Sequence, residues 1–496
     1  MTGPGDSMSE PTDGPARSGV RIPALTALAL LALALLARAQ TFGSPVLGFD
    51  EQFYLLVGDR MLHGAVPYVD LFDRKPVGLF LLYAAIRALG GAGFWQYELV
   101  ACLFVGATAS VIAAMGRRLG GPLGGLVAGA FYILWLNFAE GEGGQSPVFY
   151  NLPMALAGLI AVTAVQKRRV TPPRAGFAML LAGLALQVKY TTVFEGAAFA
   201  LMLLWGRRCQ GDPLPRLAAL AAALAATAAL PTLAVVLAYW HLGALDQWAF
   251  ANLSSQFGRL ADPLPDKALG FVVVCGILLP LAAFAWRGLR GRPPEARAFR
   301  PWLAAALVGM ASAGGFLSPH YLLPVLVPLC PLVAPMFRRD LRADRLWAAA
   351  AVLAFFAIGQ VVIHAIYADK GGEREARLVA AAAQPRHGGC LYVHDGYPAL
   401  YLLTGSCLPT RYPFPGHLNT LSEDSPAALG TSPEAEMRRI MAARPETVVD
   451  SEPLFERGNH HTRAIMAAAL QRDYVLAARI PVGPHKAKLV WRLKGT

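Results

Sequence analysis

Charged residues are scarce in this chain of 496 residues. Only 15% of the residues are Asp, Glu, Lys or Arg, whereas 55% are hydrophobic. A soluble globular domain is typically about 45–50% apolar and about 25% charged. The composition therefore excludes an ordinary soluble domain and predicts a polytopic α-helical membrane protein.

Acidic residues are scarcer than basic ones, 32 against 44, which leaves a formal net charge of +12. Such an excess can indicate a nucleic-acid partner, but here no contiguous basic face or aromatic-basic motif accompanies it. The basic residues form short clusters between apolar runs, as in the cytoplasmic loops of membrane proteins. We expect a lipid bilayer as a partner and no nucleic acid.

Cysteine is also rare, with six residues in the whole chain. The sequence contains no paired Cys and His spacing of the zinc type, no Gly-rich phosphate loop and no nucleophile elbow. Cys390 and Cys407 share a hydrophilic C-terminal region. A disulfide between them is expected if that region is extracytoplasmic, and the alternative is two unrelated buried thiols.

Long apolar runs are what the chain does contain. The stretch 174–207 is apolar with a polar centre, "QVKYTT", which predicts two short helices turning around Lys189. The other runs are about 16–25 residues long, near the length that crosses a hydrocarbon core of about 30 Å. They lie at 22–40, 97–116, 122–138, 148–166, 217–241, 268–286, 301–317, 321–337 and 346–366. Together these segments predict about eleven transmembrane helices.

The segment 77–91 is apolar apart from Arg87 and is the ambiguous one. If it crossed the membrane, the basic clusters after it would all lie outside. If it lies in the interface or re-enters, every cluster falls inside, as the positive-inside rule requires. We therefore expect the N-terminus inside and the C-terminus outside.

This topology divides the chain into three parts. Residues 1–21 are polar and rich in Gly, Pro and Ser, so we expect a disordered cytoplasmic segment. Residues 22–366 form the transmembrane domain, and residues 367–496 form a small extracytoplasmic α/β domain, in which "PETVVD" resembles a helix-to-strand step. The triplet Ala37-Arg38-Ala39 imitates a signal-peptidase site, but an uncleaved first helix is preferred because further spans follow.

The first outer loop, residues 41–96, gathers charged side chains. Asp50 and Glu51 follow the first helix, where a carboxylate at the membrane boundary could act as a general base. Further along lie Asp70, Asp73, Arg74 and Lys75. Cations before an apolar segment can grip a phosphate at headgroup depth. The alternative is that the carboxylates are solvated and the cations are ordinary interfacial anchors.

Other polar residues are predicted on the same face. Lys189 lies near membrane depth, where an ammonium group is costly without a partner or a function. His320 and Tyr321 begin a Pro-rich span, and Glu140 and Glu142 lie in the second outer loop. Each also has an explanation without function. Lys189 can snorkel to the interface, His320 and Tyr321 can be interfacial residues, and the two glutamates can be solvated turn residues. Their convergence on one face favours a substrate-binding site.

Several motifs resemble one known family. They are the Asp-Glu pair after the first helix, "DRKPVGLFLLYA", the lone lysine of "QVKYTTVFE", "PHYLLPVLVPL" and the polar outer tail. This order resembles the GT-C superfamily of polyprenyl-phosphate-dependent glycosyltransferases, of the bacterial family 39/83 type. That type includes protein O-mannosyltransferases, lipid A aminoarabinose transferases and Rhizobium galacturonosyltransferases. The resemblance implies inverting transfer of a hexosyl or pentosyl group from a polyprenyl phosphate to an extracytoplasmic acceptor at the bacterial inner membrane.

The resemblance also implies roles for individual residues. Asp50 corresponds to the catalytic aspartate and Glu51 to its acidic neighbour, while Lys75 corresponds to the lysine that contacts the donor phosphate, with Arg74 or Lys189 assisting. Relatives often carry an acid before the next helix, where this sequence reads "GGQSPVFYN". No cofactor is required by the resemblance, and the missing acid leaves a divalent metal unsupported.

Two alternatives stay open. A transporter or flippase for a lipid-linked saccharide would favour charged residues deep in several spans and an internal repeat, and the sequence has no obvious repeat. A non-catalytic homologue is kept open by the altered second loop. The acceptor is equally open among lipid A or lipopolysaccharide, another glycan and protein.

Overall fold

The computed structural model describes residues 23–291, 293–312 and 318–496. The segment 1–21, expected to be disordered, lies outside these residues. The helices of the apolar part are α1 Ala24–Ala37, α2 Phe49–Leu62, α3 Val77–Arg87, α4 Phe94–Leu136, α5 Ser146–Lys167, α6 Pro172–Leu186, α7 Thr192–Arg208, α8 Leu214–His241, α9 Leu245–Ala249, α10 Leu264–Leu289, α11 Arg300–Ser312, α12 Leu323–Leu329 and α13 Arg342–Lys370. Tighter or wider turns occur at Phe250–Ser254, Ser255–Gly258, Pro294–Phe299, Pro319–Leu322 and Cys330–Phe337.

Membrane-spanning character is evident in many of these helices. Within the described residues, six helical stretches are long and apolar enough to cross a bilayer: Phe94–Leu136, Ser146–Lys167, Leu214–His241, Leu264–Leu289, Pro319–Phe337 and Arg342–Ala383. Shorter apolar helices accompany them at Ala24–Ala37, Val77–Arg87 and Pro172–Leu186. A polytopic helical membrane protein is confirmed, while the number of eleven spans stays a prediction.

The longest helix, α4, is broken near its middle. Its 43 residues would extend about 65 Å, twice the thickness of a bilayer core. Gly121 has φ 75°, a conformation that favours glycine, and Pro122 follows it. The break falls between the two predicted runs 97–116 and 122–138, so α4 contains two helical segments joined at this glycine.

The predicted helix pair around Lys189 is present, because α6 ends at Leu186 and α7 begins at Thr192. The ambiguous segment forms α3, whose 11 residues span about 16 Å. That length is about half of a hydrocarbon core, so α3 is too short to cross by itself. It packs against α2, and both lie within residues 41–96, the predicted first outer loop.

Apolar side chains cover the outside of the helical part. In the 28 residues of α8 only Leu224 and Tyr239 are buried, and large side chains such as Leu233 and Trp240 stay exposed. Helix α10 is exposed in the same way. A helix that is apolar all round requires an apolar environment, which a bilayer supplies.

The C-terminal part contains α14 to α19 and a sheet of four strands. The helices are α14 Glu373–Ala383, α15 Leu400–Thr404, α16 Pro415–Asn419, α17 Pro426–Leu429, α18 Pro433–Ala442 and α19 His460–Asp473, with a 3₁₀ turn at Leu421–Glu423. The strands are β1 Leu391–Val393, β2 Thr447–Glu452, β3 Tyr474–Gly483 and β4 Lys486–Leu493, in the order β1-β2-β4-β3. Strands β1 and β2 are parallel and the other pairs are antiparallel. The helix-to-strand step at "PETVVD" is α18 followed by β2.

This tail packs directly on the predicted outer loops. The backbone amide of Phe72 donates to the carbonyl of Arg411 at 2.8 Å, and that of Leu260 donates to Ser422 at 2.9 Å. The first outer loop and the loop 242–267 are thus held by the C-terminal part. One end of the helix bundle therefore carries most of the candidate polar residues.

Candidate active site

Asp50 lies in the first turn of α2, where the exposed amides of a helix favour a negative charge. Its Oδ2 accepts hydrogen bonds from the Tyr54 hydroxyl at 3.0 Å and from Gln145 Nε2 at 3.2 Å. Tyr54 is one helical turn further along α2, and Gln145 immediately precedes α5. Lys75 Nζ lies 3.6 Å from the same oxygen. Three separate elements therefore fix one carboxylate.

Lys75 lies just before α3 and is held by two tyrosines. Its ammonium lies 5.3 Å from the centre of the Tyr54 ring, within the range of a cation–π contact. The Tyr68 hydroxyl donates to the Lys75 carbonyl at 2.6 Å. Burial alone would lower the pKa of Lys75, but Asp50 and Asp73 raise it above its ordinary value. Lys75 therefore carries a positive charge at neutral pH.

Lys189 adds a second cation from the turn between α6 and α7. Its Nζ lies 4.8 Å from the centre of the Tyr321 ring. Among the described residues its ammonium group makes no hydrogen bond and no ion pair. It nevertheless lies close enough to Asp50 to lower the pKa of that carboxyl group. The site thus contains a partly buried ammonium group without an acidic partner of its own.

His320 and Glu140 close the other edge of the site. His320 Nδ1 lies 2.8 Å from Glu140 Oε2, and the His320 and Tyr321 rings have centres 4.5 Å apart. His320 also contributes to the low pKa of Asp50. Lys189 and His320 therefore lie within electrostatic range of Asp50, with Tyr321 and Glu140 in contact with them, while the predicted gathering of these residues on the outer face stays a prediction.

The neighbouring acids Asp50 and Glu51 have opposite protonation behaviour. Burial alone would raise the pKa of Asp50, but Lys75 and the other positive and hydrogen-bonding groups hold it below the ordinary range. Burial and the adjacent Asp50 charge raise the pKa of Glu51 well above its ordinary value. Glu51 Oε2 is buried without a hydrogen-bond partner. Asp50 is therefore held in its ionised form, whereas the surroundings of Glu51 favour its neutral form.

The predicted second outer loop places the Gln145 amide beside Asp50, in a loop where relatives often carry an acid. A side chain on Gly143 would place its Cβ 2.9 Å from Glu51 Oε1, so this glycine permits the close approach of the two loops. Glu142 is buried, and burial raises its pKa to about 7. Neither Glu142 nor Glu140 hydrogen-bonds to Asp50. The residue that does is Gln145, which sequence reasoning noted only as a departure.

The side chains around Asp50 do not resemble a divalent metal site. Such a site needs several carboxylate or other oxygen ligands, whereas the neighbours of Asp50 are a hydroxyl, an amide and a cation. Within the described ranges, no group of three or more His, Cys, Asp or Glu residues could hold a metal ion.

Arg74, although adjacent to Lys75, contacts a different set of partners. Its guanidinium makes two hydrogen bonds to Glu423, at 2.9 and 2.7 Å. It also donates to Ser255 Oγ at 2.7 Å and to the Ala428 carbonyl at 2.8 Å. Arg259 Nε lies 2.8 Å from the same Glu423. Four donor contacts therefore join Arg74 to the tail and to the loop 242–267, and its expected contact with a donor phosphate stays a prediction.

We call Arg74, Ser255, Arg259 and Glu423 the docking network. Glu423 is buried, with 7% of its side chain exposed. No local sequence pattern predicts the contact between Arg74 and Glu423, because the two residues are 349 positions apart. By contrast, Tyr54 could have been found from its spacing, since a residue four positions after Asp50 shares its helix face.

The remaining candidates lie beside the site. Asp73 accepts a hydrogen bond from the Arg74 amide at 2.5 Å, and its negative charge helps to raise the pKa of Lys75. Asp70 accepts from the Val66 amide at 2.7 Å and lines a separate cavity. Cys390 and Cys407 form a disulfide with Cα atoms 4.9 Å apart. Asp73 thus belongs to the surroundings of Lys75, and Asp70 does not.

Comparison with known proteins agrees with this architecture. Residues 74–233 match the family model described as dolichyl-phosphate-mannose-protein mannosyltransferase. The crystal structure of ArnT from Cupriavidus metallidurans bound to undecaprenyl phosphate matches with a TM-score of 0.60 at 15% identity, covering 94% of this chain and 97% of that chain. The apo ArnT structure gives 0.57 at 14% identity with the same coverage. No curated protein matches the chain. At these identities the two structures show a shared fold, as the predicted resemblance implies.

Proposed function

We propose that this chain is an inverting glycosyltransferase that moves a sugar from a polyprenyl-phosphate donor to an acceptor hydroxyl outside the membrane. One observation carries the proposal: an ionised Asp50 lies beside two cations, of which Lys189 has no acidic partner among the described residues. A base beside an excess of positive charge suits a reaction that takes up a proton and releases a phosphate.

In the proposed reaction the acceptor oxygen attacks the anomeric carbon while the bond from that carbon to the phosphate oxygen breaks. Asp50 takes the acceptor proton, and the polyprenyl phosphate leaves with the bonding electrons. Lys75 and Lys189 stabilise the charge that grows on the leaving phosphate. The likeness to a structure bound to undecaprenyl phosphate supports this class of carrier.

The low pKa of Asp50 suits a base that is switched on by the donor. Without a donor phosphate, the positive charge of Lys75 stabilises the negative charge of Asp50. A donor phosphate would share the positive charge of Lys75 and so raise the proton affinity of Asp50. Glu51, whose pKa is raised by burial and by the Asp50 charge, lies on the buried side of the site and is not proposed as the base.

We further propose that residues 22–366 form the membrane-embedded catalytic domain and residues 367–496 an extracytoplasmic domain at the bacterial inner membrane. The Cys390–Cys407 disulfide suits an oxidising compartment. A reporter fusion at position 170, between α5 and α6, should give a cytoplasmic signal. An extracytoplasmic signal there would reverse the sidedness.

The activity is tested with the purified chain in lipid vesicles and a radiolabelled polyprenyl-phosphate sugar. A labelled product on a mixture of envelope glycolipids and proteins is expected, together with release of polyprenyl phosphate. Movement of label into the vesicle without product would favour a flippase. Neither product nor uptake would favour the non-catalytic homologue.

A further inference from the structure

A second polar cavity lies apart from Asp50 and Lys75. Its volume is about 460 Å³, within the range of about 300–1,000 Å³ typical of pockets for small organic ligands. The first outer loop supplies Arg60 and Asp70, and the tail supplies Arg411, Arg439 and the disulfide residue Cys407. The cavity therefore lies at the seam between the loop and the tail.

Two of its arginines make no ion pair with another described residue. Arg439 is paired with Glu436, but Arg60 and Arg411 make no ion pair with any residue in the described part of the chain. Arg60 donates to the Ser406 carbonyl at 2.7 Å, and Arg411 donates to the Tyr68 carbonyl. Each of the two also has a buried Nε without a hydrogen-bond partner. These contacts fix the two side chains through carbonyl groups, while the nearby carboxylates of Asp70 and Glu436 are not hydrogen-bonded to either arginine.

The lining suits an acidic sugar better than an inorganic ion. A planar guanidinium binds the paired oxygens of a phosphate or carboxylate. Asp70 uses Oδ2 to accept from the Val66 amide, and its other oxygen can accept from a sugar hydroxyl. The cavity volume leaves room for a sugar ring beside the acidic group. The cavity combines two arginines that make no ion pair within the described chain with one carboxylate acceptor, Asp70, and this combination distinguishes it from a simple anion-binding surface.

The cavity is connected to the candidate active site through one residue. Arg411 donates to the carbonyl of Tyr68, and the Tyr68 hydroxyl donates to the carbonyl of Lys75. A ligand held by Arg411 is therefore one residue removed from the segment that carries Lys75. We propose that the cavity between Arg60, Asp70 and Arg411 binds an acidic saccharide, phosphorylated or carboxylated, as part of the acceptor. Calling this ligand the acceptor rests on the proposed transferase function, whereas its binding does not.

The test measures binding of small probes to the full-length protein in detergent by calorimetric titration. Glucose 6-phosphate and glucuronate represent the two acidic groups, and glucose is the neutral counterpart. The wild type should bind at least one acidic probe at least tenfold more tightly than glucose, and the stronger probe identifies the acidic group. Equal affinity for glucose and both acidic probes would overturn the proposal.

The double variant Arg60→Gln with Arg411→Gln should weaken binding of the preferred probe at least tenfold. Arg438→Gln is the matched control, because Arg438 is exposed and paired with Glu434 outside the cavity. Ala65→Trp fills the cavity while keeping both arginines, and it should weaken binding to a similar extent. It serves as the deciding variant if the double variant fails to elute as a folded protein. Wild-type affinity in a folded cavity variant would overturn the proposal.

The Asp50→Asn variant separates this inference from the proposed function. It should bind the acidic probe with wild-type affinity, because Asp50 does not line the cavity. If the wild type bound the probe but transferred no sugar, the binding site would stand and the ligand would no longer be identified as the acceptor. Transfer activity without selective binding of either acidic probe would remove the cavity proposal alone.

Discussion

Arg74 and Lys75 are adjacent in the chain, but they serve two regions of opposite character. In the docking network, Arg74 and Arg259 share Glu423, and Arg74 has four donor contacts. In the candidate active site, Lys75 and Lys189 lie near Asp50, and Lys189 has no acidic partner among the described residues. Both arginines of the first region make an ion pair with Glu423, whereas the second region contains a lysine that makes no ion pair with the described residues and can meet a ligand.

The choice of residue follows this difference. A guanidinium offers a rigid fork that fixes geometry, so arginine suits a permanent contact between distant segments. An ammonium group is a compact charge on a flexible stem, so lysine can follow a phosphate as the bond to the sugar breaks. The comparison predicts that substitutions in the active site remove activity, whereas those in the docking network mainly loosen the fold.

The largest effect is expected for Asp50→Asn. The amide keeps the size of the side chain but cannot take a proton from the acceptor, and loss of a general base typically costs about 10²–10⁴-fold in rate. Transfer of labelled sugar in vesicles measures the loss. Asp246→Asn is the matched control, because Asp246 is exposed at the start of α9 and lines neither the site nor the second cavity. Near-normal transfer by Asp50→Asn would eliminate the proposed base.

Lys75→Met should give the next largest loss, about 10²–10³-fold, because it removes a charge that stabilises the leaving phosphate. The loss should appear in the rate of single turnover. Lys486→Met is the control, since Lys486 pairs with Asp369 at 2.5 Å far along the chain in the tail. Equal rates for the two variants would show that Lys75 is an ordinary anchor.

Glu423→Gln tests the other side of the comparison. It leaves Arg74 and Arg259 without their shared countercharge, and breaking a buried ion pair costs about 3–5 kcal/mol of stability. Limited proteolysis should cut the loop 242–267 faster. Transfer should fall only about tenfold, since networks of this kind change coupling by about 0.5–2 kcal/mol.

The control for Glu423→Gln is Glu434→Gln, which removes an exposed ion pair with Arg438. Such pairs contribute about 0–1 kcal/mol, so proteolysis and transfer should stay near wild type. If Glu423→Gln abolished transfer while the protease pattern stayed unchanged, Glu423 would belong to the reaction and not to docking.

Sequence alone predicted the parts of the site that depend on local pattern. The lone Lys189 between two apolar halves predicted a turn, and the structure has that turn between α6 and α7. The sequence also predicted that Asp50 and Lys75 lie in one loop at the end of the first helix. Hydrophobic run length and charge position carry this information because a bilayer constrains both.

Partner choice across the chain was beyond sequence reasoning. Arg74 and Lys75 have the same charge and adjacent positions, and only the tertiary fold decides that one meets Glu423 and the other Asp50. The sequence around Gln145 showed only that the loop lacks an expected acid. The structure shows that the Gln145 amide donates to Asp50. Contacts between residues about 100–350 positions apart leave no periodic signal in a single sequence.

The smallest expected effect concerns Gln145, whose amide stabilises the ionised form of Asp50. Burial raises the pKa of Asp50, and Lys75, His320, Gln145 and Lys189 together lower it below its ordinary value. A base must be deprotonated, so wild-type kcat/KM should stay level as pH falls from about 8 to about 5. Gln145→Leu removes a hydrogen bond to the charged form and should move the acid limb upward by about one pH unit.

At pH 7.5 the Gln145→Leu variant should retain most of its activity, because Lys75 still keeps Asp50 ionised. Gln384→Leu, which removes an amide that donates to the Thr404 carbonyl in the tail, is the control and should leave the acid limb in place. An upward shift in Gln145→Leu alone would establish that the second outer loop controls the protonation of Asp50 through an amide. An unchanged limb would mean that the cations alone set the charge of Asp50, and the contrast between a completed docking network and a site poised by its lysines would become sharper.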